Sequence, residues 1–143
     1  MTTGRPFPHS VLVDSGATLA LADLGDGNHQ AATNIQHQLV ATRSRLFTTN
    51  YLIDETYTLI LARAGYQYAI RFLDELRKGA VSVLRITNSD ERQAEQILRQ
   101  YADKRFSYTD ATSFAVMERV GIEAAFTFDR NFTEYGRVLV LTP

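Results

Sequence analysis

The sequence predicts an α/β fold in which a central, mainly parallel sheet of five strands is flanked by helices as a three-layer sandwich. Two observations support this class. Short segments rich in Val, Leu, Ile and Phe are typical of strands buried on both faces, and longer segments with helical spacing of apolar residues lie between them. This alternation implies right-handed crossovers between strands that run in the same direction.

Local signals place each element along the chain. In order, we predict a strand at 10–14 ("SVLVD"), helices at 15–25 and about 28–44, a strand at 45–49 ("RLFTT"), helices at 50–63 and 66–78, a strand at 81–86 ("VSVLRI"), a helix that ends at about 101, a helix at 108–120, and strands at 124–128 ("AAFTF") and 137–141 ("RVLVL"). The strands are β-branched or aromatic. Glycines such as Gly65 and Gly121 follow predicted helices, and Asn88, Ser89 or Asp90 can cap the fifth helix.

The chain of 143 residues fits one domain, which we expect to span residues 10–143 after a tail at 1–9. No apolar run approaches the roughly 20 residues that cross a bilayer, and the first ten residues are too polar for a signal peptide. Cysteine is absent, which suits a reducing compartment. The sequence therefore favours a cytoplasmic protein without a membrane segment.

Composition also narrows the chemistry. Without cysteine, and with only His9, His29 and His37, the chain contains none of the common zinc motifs. A bound metal would be held by oxygen ligands, which points to Mg²⁺ or Mn²⁺. The net charge of −1 lacks the basic excess of many nucleic-acid-binding proteins. A polyanion would have to meet a local basic patch, or metal ions in an acidic pocket.

Two aspartates follow predicted strands. Asp14 ends the first strand and Asp129 follows the fourth, and ligands of parallel α/β sheets bind beyond the carboxyl ends of the strands. Each residue also has a simple structural interpretation, because Asp14 can cap the next helix and Asp129 can form a turn.

Two further acids are predicted to lie on helices. Glu55 faces an apolar stripe, whereas its neighbour Asp54 faces more polar residues. A carboxylate that faces the core is costly unless it is paired, protonated or bound to a cation, and Arg63 lies too far along the helix for the usual ion pair. Asp110 matches a capping box with Ser107, which by itself would explain it.

Together, Asp14, Glu55, Asp110 and Asp129 suggest a metal site. Four converging carboxylates would repel one another and become protonated, whereas a hard divalent cation removes this conflict. Sites of this kind hydrolyse phosphodiester bonds by activating water. An aspartyl-nucleophile phosphotransferase is disfavoured, because position 16 is glycine where a second acid is expected.

Four segments resemble the PIN-domain family of metal-dependent ribonucleases, especially its VapC-like toxins. They are "VLVDSGATLALAD", "TTNYLIDETYTLILAR", "FSYTDATSFAVMERVGI" and "AAFTFDRNF", and they follow the family's order and spacing. The resemblance implies a sheet ordered 3-2-1-4-5 and a metal site of Asp14, Glu55, Asp110 and Asp129, supported by Ser15 and Thr127. It also implies a homodimer and a small antitoxin that occupies a groove.

The expected function is therefore an Mg²⁺- or Mn²⁺-dependent endoribonuclease, the toxin of a type II toxin–antitoxin pair. Two alternatives remain: a non-catalytic module of the same fold that binds RNA or an antitoxin, and a housekeeping RNA-processing nuclease.

Some residues outside the acid cluster are candidates for RNA contact. Lys104, Arg105 and Arg130 are predicted on loops near the acids, where they can bind phosphates or form an ordinary solvated surface. The aromatic residues around the first two, Tyr101, Phe106 and Tyr108, can stack on bases or pack beneath a loop.

Overall fold

The sheet contains five strands in the order β3-β2-β1-β4-β5, and all four pairings are parallel. The computed structural model describes residues 7–143, so most of the predicted tail lies outside the described residues. The strands are β1 (Ser10–Val13), β2 (Arg45–Thr49), β3 (Val81–Leu84), β4 (Ala124–Phe126) and β5 (Leu139–Val140). The predicted strand order is confirmed, and β1 lies at the centre.

Seven helices connect and cover these strands within residues 7–143. They are α1 (Ser15–Ala22), α2 (His29–Ala41), α3 (Asn50–Arg63), α4 (Tyr66–Arg77), α5 (Asn88–Gln100), α6 (Tyr108–Val120) and α7 (Arg130–Tyr135). The predicted bounds of α3 and α6 are confirmed, whereas α1 ends three residues before the predicted Gly25. Thr87, rather than one of the three residues after it, is the N-cap of α5.

Helix α7 was not predicted. Its six residues are too few to show helical periodicity, and its signals lie at its ends. Asp129 is the N-cap and accepts a hydrogen bond from the Asn131 amide, and Gly136 adopts a φ of 82° at the C-terminus, which glycine tolerates better than other residues. The prediction of a loop at Arg130 is therefore wrong, because this residue begins a helix.

The core lies on both faces of the sheet. Val11 and Val13 pack with Ile35 of α2 on one face, whereas Leu12 packs with Phe114 of α6 on the other. Because side chains alternate along a strand, a central strand buried on both faces requires a helical layer on each side. No helix among residues 7–143 is long and apolar enough to cross a membrane.

Candidate metal centre

The centre of the site is the edge of the sheet where β1 and β4 end side by side. The Asp14 amide donates to the Phe126 carbonyl at 3.0 Å, which continues the pairing of Val13 with Phe126. Asp14 occupies the N-cap position of α1, but its side chain makes no capping hydrogen bond. The capping interpretation of its carboxylate is therefore wrong.

Thr127 connects the two strand-end aspartates. Its hydroxyl donates to Asp14 Oδ2 at 2.8 Å and accepts from the Asp129 amide at 3.0 Å. Thr127 is itself buried, so this hydroxyl fixes one carboxylate and the backbone of the other. The residue predicted as a supporting group thus lies in direct contact with the predicted site.

Glu55 reaches the same region from α3. The hydroxyl of the buried Ser15 donates a hydrogen bond to Glu55 Oε1. Glu55 is half-buried whereas Asp54 is exposed, so α3 directs Glu55 rather than its neighbour toward Asp14. Ser15 therefore orients Glu55 in the way that Thr127 orients Asp14.

Asp110 lies at the start of α6, where the predicted capping box is present. Its Oδ2 accepts from the Ser107 amide at 3.0 Å and from Asn131 Nδ2 at 2.9 Å. The sequence did not indicate Asn131, whose backbone N–H also donates to Asp129 Oδ1. An Asn two residues after a capping Asp is the signal that could have indicated it. Asp110 is thus both a helix-capping residue and a neighbour of Asp129.

The electrostatics of the site favour protonation or a bound cation. Burial raises the pKa of Asp14 to about 7, and the charges of Asp110 and Glu55 act in the same direction, although the Thr127 hydrogen bond opposes them. Burial also raises the pKa of Asp110, with a further contribution from Asp129. None of the ion pairs among residues 7–143 includes any of these four acids.

Asp14, Glu55 and Asp129 line one cleft of about 320 Å³, together with Asp26 and Arg63. Asp110 does not line this cleft, although its charge acts on Asp14. Within the described chain, no three acidic or histidine side chains are already placed to hold one ion. The structure therefore brings the predicted acids to one edge without forming a closed set of ligands.

The donor chemistry of this edge fits a hard divalent cation. Asp14 is buried, carries a raised pKa and has carboxylates rather than basic groups as its charged neighbours. Carboxylate oxygens are the ligands that Mg²⁺ and Mn²⁺ prefer. A larger cleft of about 450 Å³, lined in part by Leu21, Ile60 and Phe72, contains none of the four acids.

The predicted RNA contacts are only partly available. Lys104 lies 3.5 Å from Asp103 and Arg130 lies 3.5 Å from Glu134, whereas Arg105 is exposed. Two of the three predicted stacking residues are unavailable, because Tyr101 and Phe106 pack against each other within the core. Tyr108 is exposed and stacks against Tyr51, so it is the one predicted stacking residue that remains accessible.

Comparison with known proteins identifies the family. The sequence profile of the PIN domain matches residues 11–138. The chain is 32% identical over 130 residues to the 23S rRNA-specific endonuclease VapC20 of Mycobacterium tuberculosis. This match covers 91% of this chain and 97% of that protein. It is 29% identical over 127 residues to a VapC ribonuclease of Archaeoglobus fulgidus, with coverages of 87% and 80%.

Solved structures agree with this relationship. The fold superposes on the crystal structure of VapC20, described as a sarcin-ricin loop cleaving toxin, with a TM-score of 0.83. The match covers 93% of this chain and 99% of the VapC20 chain. VapBC2 of Rickettsia felis, bound to a promoter DNA fragment, has a TM-score of 0.68 at 9% identity, covers 92% and 97% of the two chains, and shows the shared fold alone. Because the PIN domain profile matches most of the chain and VapC20 is 32% identical over 91% of it, the chain belongs to the PIN domain family.

Proposed function

We propose that this chain is an Mg²⁺- or Mn²⁺-dependent endoribonuclease of the VapC type. The observation that carries the proposal is the environment of Asp14, a buried carboxylate with a pKa raised to about 7 and with acidic neighbours. A divalent cation at this position compensates charge that the described residues leave uncompensated. The named activities of the VapC relatives support hydrolysis of RNA.

Asp14, Glu55 and Asp129, which line one cleft, are the residues that would hold the metal, with Asp110 adding negative charge to the site. When bound, Mg²⁺ or Mn²⁺ lowers the pKa of a coordinated water and stabilises the charge that develops on the scissile phosphate. Thr127 orients Asp14 through its hydroxyl, and Ser15 orients Glu55 in the same way. Because protons compete with the cation for Asp14, cleavage should increase as the pH rises toward about 7.

The relatives also suggest the biological setting. VapC20 is named for its action on 23S rRNA, so the first substrate that we propose is an RNA carrying the sarcin-ricin loop. VapBC assemblies among structures of the same fold lead us to propose a small antitoxin partner. The family resemblance leads us to propose a homodimer, and the absence of cysteine leads us to propose a cytoplasmic location. A non-catalytic module of the same fold would bind these partners without consuming RNA.

The decisive experiment compares paired variants on a sarcin-ricin loop oligonucleotide with Mg²⁺ or Mn²⁺. Asp14→Asn and Glu55→Gln should each reduce the cleavage rate about 100-fold or more, because each removes one ligand charge. Asp54→Asn is the matched control, since Asp54 lies beside Glu55 on α3 but is exposed. Undiminished cleavage by a correctly folded Asp14→Asn protein would disprove the proposal. Calorimetric titration with Mn²⁺ should show uptake by the wild type and weaker uptake by Asp14→Asn.

A further inference from the structure

Arg63 lines the acidic cleft at the last turn of α3. Glu55, Leu59 and Arg63 are spaced four residues apart on α3, which places them along one face of the helix, and all three line the cleft. Among the cleft-lining residues of the described chain, Arg63 is the single basic side chain, whereas Asp14, Asp26, Glu55 and Asp129 are acidic. The cleft therefore combines several carboxylates with one arginine, which lies two helical turns beyond Glu55.

Arg63 does not neutralise the acids of the site. Eight residues of helix separate it from Glu55, a rise of about 12 Å, and it forms no ion pair among residues 7–143. Arg119 provides the contrast, because its guanidinium donates to buried Asp90 at 2.8 Å. An exposed arginine that lines an acidic cleft without contacting an acid is available to an anion from outside.

Position at the end of a helix is the ordinary explanation for such a residue. A cation in the last turn of α3 interacts favourably with the helix dipole, and this interaction is typically worth less than about 1 kcal/mol at an exposed site. That role needs only the position in sequence and would be served by any orientation of the side chain. It does not account for an arginine that lines the cleft with Glu55 and Asp129.

We propose that Arg63 binds a backbone phosphate of the RNA substrate, displaced from the scissile phosphate along α3. This inference rests on the proposed function and adds the direction in which the strand lies. A guanidinium group matches phosphate oxygens with two parallel hydrogen bonds. The strand then passes from the acids along the Glu55–Leu59–Arg63 face of α3. Lys104 and Arg130, in contrast, do not line this cleft.

The test measures RNA binding separately from cleavage. All variants are made in the Asp14→Asn background, and a fluorescein-labelled single-stranded RNA of about 10 nucleotides is titrated by anisotropy at several salt concentrations with Mg²⁺ present. Loss of one phosphate contact should lower the slope of log K against log salt by about 0.7 and weaken binding about three- to tenfold at low salt. We expect this result for Arg63→Gln, whereas Arg63→Lys should keep the salt slope of the Asp14→Asn parent.

Arg99→Gln is the charge-matched control, because Arg99 is an exposed arginine in the last turn of α5 that does not line the cleft. An Arg63→Gln protein with the Kd and salt slope of its parent, or with losses no larger than those of Arg99→Gln, overturns the inference. So does a parent protein that binds no RNA.

The two proposals can fail separately. If the wild type cleaves RNA but Arg63→Gln binds RNA with an unchanged slope, only the role of Arg63 is wrong. If Arg63→Gln lowers the slope while the wild type cleaves nothing, Arg63 binds phosphate and the nuclease proposal is wrong. In an active enzyme, Arg63→Gln should raise KM about three- to tenfold and leave kcat within about twofold, because a contact away from the scissile phosphate stabilises substrate and transition state alike.

Discussion

Asp90 and Asp110 occupy equivalent local positions but have opposite electrostatic environments. Each is the third residue of a helix that begins with a capping box, on α5 after Thr87 and on α6 after Ser107. Each is also buried, with 2% and 6% of its surface exposed. Burial alone would raise the pKa of Asp90, but hydrogen bonds from Arg119 and Thr87 outweigh it and lower that pKa below its usual value.

Asp110 has no comparable cationic partner among residues 7–143. Apart from the Ser107 amide, its side-chain contact is the neutral amide group of Asn131, and burial keeps its pKa above the usual value. Helix α6 carries Arg119, but nine residues beyond Asp110, where it serves Asp90 instead. Within residues 7–143, one buried aspartate is therefore paired with a cationic side chain and the other is not, which is the difference expected if Asp110 belongs to the proposed metal site.

The largest effect that would test this comparison is on catalysis. Asp110→Asn should reduce RNA cleavage about 100-fold or more, because it removes a negative charge from the proposed metal site while an amide oxygen can still cap α6. Asp90→Asn should leave the cleavage rate per folded molecule within about twofold. Rates are compared at saturating Mg²⁺ after circular dichroism has confirmed folding. Equal losses in the two variants would remove the distinction between the residues.

The next effect is on stability, where we expect Asp90→Asn, and not Asp110→Asn, to lower the free energy of unfolding. Asp90→Asn breaks a charge-assisted contact to Arg119 and should lower the free energy of unfolding by about 2 kcal/mol. Arg119 is 41% exposed, so water limits the loss. Asp110→Asn should be within about 0.5 kcal/mol of the wild type or more stable. Urea unfolding measures both, and a double-mutant cycle with Arg119→Gln isolates the coupling between Asp90 and Arg119.

A pH series sharpens the contrast through Asp14. Because its pKa is about 7 in the folded chain and 3.8 ordinarily, the folded state retains a proton that the unfolded state has lost. Stability from this group therefore falls as the pH rises between these values and stays low above about pH 7. In metal-free buffer, the free energy of unfolding of Asp14→Asn should exceed that of the wild type by up to about 4 kcal/mol at about pH 8 and equal it near pH 4.

Mg²⁺ or Mn²⁺ should reduce that difference at about pH 8, since the metal stabilises only the folded protein that keeps the carboxylate. Asp90 should show the opposite pH dependence. Its pKa is lowered in the folded chain, so its contribution is present above the unfolded pKa and is lost as the pH falls through the folded value. A pH-independent difference between Asp14→Asn and the wild type would contradict the assignment of a raised pKa to Asp14.

The smallest effect concerns Ser113, one turn beyond Asp110. Its buried hydroxyl has no hydrogen-bond partner among residues 7–143, whereas Asp110 accepts hydrogen bonds from Ser107 and Asn131. Ser113→Ala should leave the free energy of unfolding unchanged or raise it by up to about 1 kcal/mol. Thermal unfolding measures this directly, and a clear loss of stability would mean that the hydroxyl has a partner.

Local signals predicted most of the fold, because the strands and helix ends are defined by neighbouring residues. The bounds of β2, α3 and α6 follow from runs such as "RLFTT" and from Gly121. The distinction between Asp90 and Asp110 could not be predicted in this way. It depends on which residue of α6 lies opposite Asp90 when α5 and α6 pack. That residue, Arg119, is 29 positions from Asp90 in the sequence. Equivalent capping motifs carry no information about that packing.

The same limit applies to the site. Three of its acids were predicted from their positions at strand and helix ends and Glu55 from its apolar helix face, and the structure brings them to one edge of the sheet. Asn131 was missed because α7 is short, and Arg63 was considered only as an ion-pair partner for Glu55. Its place in the cleft depends on how α3 lies relative to α1, which the spacing of residues along α3 does not reveal.

The position of β1 at the centre of the sheet has a consequence for biosynthesis. The strand that ends at Asp14 is made early, but the residues that hold its backbone and carboxylate are Phe126 and Thr127. Chains leave the ribosome from the N-terminus at about 5–20 residues per second. More than a hundred residues must therefore follow Asp14 before the β1–β4 edge can assemble. A nascent chain therefore cannot form the β1–β4 edge, or the activity proposed for it, until β4 has emerged.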